Sequence, residues 1–558
     1  MPTRSLRRLK AFLTWAELLV GFAWIMLEAG LARGAAWLSA AFIGAAGLVV
    51  LLFGLRMAIR ALAGWRRLMA LHTLIALVGV VGFSLVSIRV SAIFAAFHGL
   101  LETYLWVKRE QRPGQRILVD VGYRPARALV LSFATLIGTG TILLSFPASW
   151  AGEPVSVVDA LFTATSATCV TGLTSVDTAL VWSPFGKTVI LFLIQLGGLG
   201  IMAIAAATTL FLGRTMGIEE HAVVRGAFDE ANAEELEALL KGLVVSTLCI
   251  EAVGALILAI RFAADMSLGQ ALLYGLFHSV SAFCNAGFSL FSDNLVAYAS
   301  DPTVNLTIMP LIVLGGLGFG VLVALYRAAR SAGRYRLPVH AKVVIVASLI
   351  LIWSGALLFF FFEYDRSLAN LSLPGKILAS LFQSVTSRTA GYNTVPMGSL
   401  HSVTVLLLIA LMFIGASPGS TGGGAKTSTV AIAFLAVRAY LTDKPDVEVF
   451  GRRLAPDNVM RALALLGGYS VAYVVGVGLL LTTETAEFHR IAFEAASALG
   501  TVGLSMDLTP SLSVSGKLVG VALMFVGRVG PLTAAAAAAA RGSSSAGIRL
   551  PEGRVVVG

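Results

Sequence analysis

The sequence predicts an all-α polytopic membrane protein. Four pseudo-symmetric units, each running span, short helix, glycine loop, span, surround one central axis, and extra transmembrane helices precede them. Three observations lead there. Of 558 residues, 57% are hydrophobic and 13% charged, whereas a soluble domain carries about 25% charged residues. Apolar runs of about 20 residues recur, the length a helix needs to cross the hydrocarbon core; a transmembrane barrel would show short alternating segments instead. The third observation is a motif that occurs four times.

The copies are "FTATSATCVTGLTS" (162–175), "FHSVSAFCNAGFSL" (277–290), "FQSVTSRTAGYNTV" (382–395) and "FEAASALGTVGLSM" (493–506). Each begins with Phe, passes through small residues and reaches a Gly followed by Leu, Phe or Tyr. These glycines, Gly172, Gly287, Gly391 and Gly503, lie 115, 104 and 112 residues apart. The Phe-to-Gly distance is 10 in three copies and 9 in the third, which predicts a slightly shorter helix end there. Apolar spans flank each copy, at 127–147 and 185–212, 240–262 and 303–327, 341–363 and 402–438, and 459–481 and 514–540. Every second span carries its own glycine mark: Gly197 to Gly200, Gly315 to Gly318, Gly415 with Gly419, and Gly527 with Gly530. The predicted units are 125–213, 238–328, 340–440 and 458–541, with N-terminal helices in 1–110 and a flexible tail at 542–558.

About ten residues of helix cannot cross a bilayer, so the motifs read as re-entrant. Irregular backbone at membrane depth is tolerated only in protein or beside water. Four such loops around one axis form a single pore walled by backbone carbonyls, which can replace a cation's hydration shell. Glycine at the narrow point permits positive φ and removes bulk, and helix C-termini aimed at the cavity favour cations. Small residues that merely pack helices would not recur in register four times.

"SATCVTGL", "SAFCNAGF", "SRTAGYNT" and "ALGTVGLS" resemble the filter loops of the Trk/Ktr/HKT superfamily of potassium transporters, over about residues 125–540. "GTVGLS" is also close to the potassium-channel signature. The resemblance implies filter carbonyls at Val170, Thr171 and Gly172; Asn285, Ala286 and Gly287; Thr389, Ala390 and Gly391; and Thr501, Val502 and Gly503. Members with Ser at the first filter glycine tend to pass sodium. Gly172 therefore points to potassium as the transported ion, with sodium permeation, or coupling to sodium or protons, as the alternative. The resemblance further implies a homodimer and a cytoplasmic ring of nucleotide-binding regulatory subunits. Nucleotide would then act only through that partner, and no covalent cofactor is expected.

"GASPGSTGGGAKTST" (415–429) interrupts the third unit's second span. A phosphate loop would need Gly directly before the Lys and another five residues earlier; Ala425 and Ser420 stand there, and an apolar span precedes instead of a strand. Pro418 and the glycines break the helix, and polar backbone is tolerable where it faces an ion path. The matching family loop is an intramembrane gate. Residues 415–426, with Gly415, Ser417, Pro418, Gly419, Gly422, Gly423, Gly424 and Lys426, are thus expected to occlude the cavity. Arg528, in "LMFVGRVGPLT", is the expected neighbour across the pore. Arginine at bilayer depth costs about 2.5–3.5 kcal/mol on insertion scales, so it should face protein or water, either as a barrier to cations or as a tie between carbonyls. Glu494 reads as structural and near the start of its helix, Arg388 as a brace behind the third loop, and Asp177 and Asp507 as residues of the outer mouth.

Basic residues, net charge +11, concentrate in short loops such as "RAARSAGRYRLPVHAK", as the positive-inside rule requires; nucleic-acid binding is not expected. The filters then face outside, in a plasma membrane. The stretch 1–110 shows spans at 11–30 and 36–56, and basic flanks on both sides call for an even number of crossings, four or two plus a membrane-associated helix. Residues 213–240 read as an amphipathic cytoplasmic linker. Three cysteines in or near apolar runs form neither a disulfide framework nor a metal site. Seven histidines show no ligand spacing, against the rival reading of a membrane enzyme. The repeats all run in one sense, against an inverted-repeat transporter.

Overall fold

The computed structural model describes residues 125–212, 233–331 and 335–538. The N-terminal spans, most of the 213–240 linker and the tail lie outside the described residues. Unit one comprises α1 (Pro125–Leu144), α2 (Val157–Thr168) and α3 (Pro184–Leu212), the last interrupted at Gly200. Unit two comprises α4 (Ala233–Phe262), α5 (Leu268–Phe283), α6 (Pro302–Leu317) and α7 (Phe319–Arg330). Unit three comprises α8 (Val339–Glu363), α9 (Leu373–Thr386), α10 (Ser402–Phe413) and α11 (Thr427–Leu441). A two-stranded ribbon of β1 (Glu448–Val449) and β2 (Arg452–Arg453) leads to unit four: α12 (Pro456–Thr483), α13 (Phe488–Gly500), α14 (Val514–Val529) and α15 (Pro531–Ala538).

The short helices α2, α5, α9 and α13 have 12, 16, 14 and 13 residues. At 1.5 Å per residue they reach roughly 18–24 Å, less than the core thickness of about 30 Å. Their starts are written locally. Ser156 accepts from the Asp159 amide at 3.1 Å, and Ser372 from Gly375 at 3.4 Å with Pro374 in the first turn. The third helix does end early: α9 stops four residues after Phe382, whereas α2 and α5 run six past their Phe and α13 seven.

Each first span packs on its second span through one glycine. Gly140, Gly254, Gly355 and Gly476 seat Leu193, Leu311, Leu411 and Leu523, and a Cβ on any of them would fall within 3 Å of that leucine. Four residues after each leucine comes the next glycine of the repeat: Gly197, Gly315, Gly415 or Gly527. Close packing of small against large side chains holds the two spans of each unit at a fixed spacing.

The second spans depart from expectation. All four are broken, where only the third was expected to be. Gly200, Gly318 and Gly530 adopt φ of 68°, 89° and 91°, a left-handed conformation that no helix continues through. At Gly318 the chain turns by 104° between α6 and α7. In unit three the break is the whole stretch between Phe413 and Thr427.

Candidate functional site

After each short helix the backbone follows one pattern. Val170, Asn285, Thr389 and Thr501 take φ of 57°, 61°, 78° and 51°. Two residues later Gly172, Gly287, Gly391 and Gly503 take φ of 94°, 67°, 81° and 101°. Left-handed non-glycine residues cost about 1–3 kcal/mol each and persist only where the surroundings impose them. Here the amides are held from behind. Thr171, Ala286 and Val502 donate to the carbonyls of Ser166, Ser281 and Ser497 at 2.8, 2.7 and 2.9 Å, and Ala390 to that of Thr386 at 2.9 Å. Gly172 and Gly503 donate to the hydroxyls of Ser166 and Ser497 at 3.0 Å. The amides of these middle residues are thus turned into their own helices.

The four loops close into a ring. The Cα of Gly172 sits against the Ala286 carbonyl, Gly287 against Ala390, Gly391 against Val502, and Gly503 against Thr171, each too close to admit a Cβ. All twelve residues expected in the filter are thereby brought together, and the non-glycine members are fully buried. Lys517 closes the same circle outside the ring, pairing with Asp159 at 2.7 Å between units four and one. Tyr392 ties the third loop to the second through the Phe288 carbonyl at 3.0 Å. Buried His278, which ligand spacing gave no reason to single out, contacts the Tyr274 carbonyl at 2.8 Å and the Ser289 hydroxyl at 3.1 Å.

Directly beneath lies the 415–426 loop. Gly415 and Ala425 pair at 2.8 Å to close its neck, and Ser417 and Thr427 share a hydrogen bond of 2.8 Å. Its tip, Pro418–Gly419, docks at the Gly318 bend, where Phe319 donates to Gly419 at 3.1 Å. Ser417 and Thr421 donate from their amides to Gly316 and Gly315 at 3.0 and 3.2 Å. Gly423 donates to the Thr501 hydroxyl at 3.1 Å. Gly422 and Gly423 lie so close to the Thr389 and Thr501 side chains that neither has room for a Cβ. Lys426 turns back onto the Gly422 carbonyl at 2.7 Å, with Gly423 at 3.4 Å. Arg528 donates to the carbonyls of Thr421 in the loop and Gly197 in unit one. The loop is thus fastened to all the other units, to unit one through Arg528.

Residues outside these layers brace them. Arg388 reaches backwards to Ser348 on α8 at 3.2 Å. Glu494 lies in the middle of α13, not near its start as expected, and accepts from Ser505 at 2.8 Å and from Thr509. Asp177 accepts from the Ala179 amide at 2.7 Å, a local turn, while Asp507 is exposed. Cys169 and Cys284 are buried, Cys249 is exposed, and all three are free. Among the described residues no cluster of His, Cys, Asp and Glu has the grouping of a metal site. Sequence reasoning missed Thr421, the contact of the Thr501 hydroxyl with the loop below, and the serines behind the filter. A signal for the serines existed: Ser166, Ser281, Thr386 and Ser497 recur six, six, five and six residues before the filter glycines.

Comparison with known proteins agrees with this architecture. A family model described as "TrkH: Cation transport protein" matches residues 87–546. Ktr system potassium uptake protein B of Bacillus subtilis is 40% identical over 445 residues, covering 79% of this chain and 99% of that protein. Potassium/sodium uptake protein NtpJ of Enterococcus hirae is 35% identical, covering 78% and 97%. The crystal structure of the potassium transporter TrkH from Vibrio parahaemolyticus shares the fold, with a TM-score of 0.60 at 19% identity, over 88% of this chain and 96% of that one. A multi-pass, all-α membrane protein with this repeat and these relatives has one assignment: the chain belongs to the TrkH family of cation transport proteins.

Proposed function

We propose that this protein carries potassium into the cell through one pore, with the ring of four loops as its selectivity filter. The observation that carries the reading is the closed ring, in which each loop's glycine abuts the next loop's carbonyl. Neutral carbonyls in such an array replace the hydration shell of a monovalent cation, and the ion is cargo, not a cofactor. The protein is a transporter rather than an enzyme. The 415–426 loop and Arg528 form the gate: they block the path below the filter and must move for ions to pass. A cytoplasmic nucleotide-binding ring controls that movement, and the working unit is a homodimer in the plasma membrane. Basic linkers such as "RAARSAGRYRLPVHAK" lie inside and the filters outside.

The test is growth of potassium-uptake-deficient cells on low potassium, with rubidium uptake measured in the presence of a Ktr-type regulatory subunit. Rescue with saturable rubidium uptake is expected; membrane-expressed protein that gives neither sinks the reading. The name of the Enterococcus relative, a potassium/sodium uptake protein, supports a second reading in which sodium also permeates. Competition of sodium against rubidium uptake separates the two.

A further inference from the structure

Arg388 interrupts the fourfold pattern. Three positions before the filter glycine the other loops carry Cys169, Cys284 and Gly500, all small. Arg388 is only 7% exposed, and a guanidinium keeps its charge in proteins. Among the described residues no carboxylate lies within ion-pair distance of it. Its Nη atoms reach one residue, Ser348, at 3.2 Å to the hydroxyl and 3.4 Å to the carbonyl. Its Nε–H is buried and has no acceptor. The C-terminus of α9, two residues away, offers at most about half a negative charge. A buried charge needs a counter-charge and filled hydrogen bonds, or it destabilises the fold.

The same residue lines a narrow cleft between α6 and α9, with Ile312, Val313, Gly316, Leu317 and Val385. Arg388 is the one polar side chain in that wall. The cleft admits a guest of about the size of one water molecule. Water needs two to four polar partners to be held, and Arg388 is the wall's single polar side chain. A small anion needs only donors, and its charge answers the one left open. We propose that the cleft is a binding site for a monovalent anion of halide size, chloride in the cell, held on the Arg388 guanidinium. Its position gives the anion a purpose in the fold. Gly316 in the cleft wall accepts from Ser417 of the 415–426 loop at 3.0 Å, and Arg388 adjoins Thr389 of the third filter loop. An occupant would firm up the contact between the two layers. The proposal holds whichever cation crosses the pore.

The purified full-length protein tests it, with potassium held constant and gluconate, too large for the cleft, exchanged for bromide. The melting temperature should rise by about 1–3 °C in bromide, and crystals should show anomalous bromide density beside Arg388. Val313→Phe fills the cleft and keeps the charge; Arg388→Gln removes the charge and keeps the cleft. Both should abolish the shift and the density. Equal melting in the two salts, or a bromide shift that survives Val313→Phe, would overturn the site. Should Arg388→Gln not fold, Val313→Phe decides alone.

Discussion

The filter ring and the layer beneath it come from the same four repeats, yet they are built on opposite plans. In the ring every unit contributes a left-handed residue, a middle residue and a left-handed glycine, and every glycine meets its neighbour in the same way. One layer lower, Gly197, Gly315 and Gly527 seat the end of their own short helix, against the carbonyls of Thr168, Phe283 and Leu499. Gly415 instead seats the Gly423 carbonyl of its own loop. A cation stripped of water needs oxygens on all sides, which favours four equal contributors. On the proposed gate, obstructing the path needs one contributor, and three others that hold it.

The strongest blow to this comparison falls on the ring. Gly391→Ala puts a Cβ on a residue at φ 81° and against the Val502 carbonyl, adding about 1–3 kcal/mol of backbone strain. Rubidium uptake should drop at least about tenfold; normal uptake would mean that the ring is not the filter. Gly172→Ser displaces the Ala286 carbonyl in the same manner, and sodium permeation should rise relative to potassium.

Deleting Ser420–Gly424 attacks the lower layer alone. It removes the partners of Gly315, Thr501 and Arg528, so leak flux should rise while potassium preference survives. An unaltered flux in a folded protein would refute the gate. Arg528→Ala sharpens the point, since it frees the Thr421 and Gly197 carbonyls and lifts a fixed charge from the path. Charge-assisted bonds are worth about 1.5–3 kcal/mol, so flux should rise about tenfold; a fall would mark Arg528 as a tie and nothing more. Thr501→Val keeps the shape and deletes one acceptor, that of Gly423. At about 1 kcal/mol the open fraction should rise roughly fivefold. The smallest effect belongs to Lys517→Met, which opens the Asp159 pair outside the ring. Such a pair contributes about 0.5–1 kcal/mol, seen as a small fall in melting temperature with selectivity unchanged.

The short helices and their loops could be read from the sequence because a Phe, a run of small residues and a Gly recur at nearly constant distance. Even the early end of α9 follows from the one residue missing before Gly391. The breaks at Gly200, Gly318 and Gly530 were not legible. Gly140, Gly254, Gly355 and Gly476 stand in similar apolar runs and stay helical, and the sign of φ is not written in a residue's identity. Arg528 could be placed beside the loop by counting, but its bonds to Thr421 and Gly197 join parts of the chain 107 and 331 residues apart. Glu494 was misplaced within α13 because "EFHRIAFE" offers several starts, and the helix takes Phe488. The serines behind the filter were visible and read only as small; their hydroxyls matter because two filter amides need acceptors.

The last contact of the ring, Gly503 on Thr171, joins the fourth repeat to the first within a single polypeptide. In an assembly of four identical subunits, any change to a filter loop appears four times and is tested four times by selection. Here each glycine is constrained by a neighbour encoded elsewhere in the same gene, so substitutions around the circle should covary in pairs: 172 with 286, 287 with 390, 391 with 502, and 503 with 171. The same fusion leaves one repeat free to diverge below the ring, and that freedom is what an obstruction carried by a single unit requires.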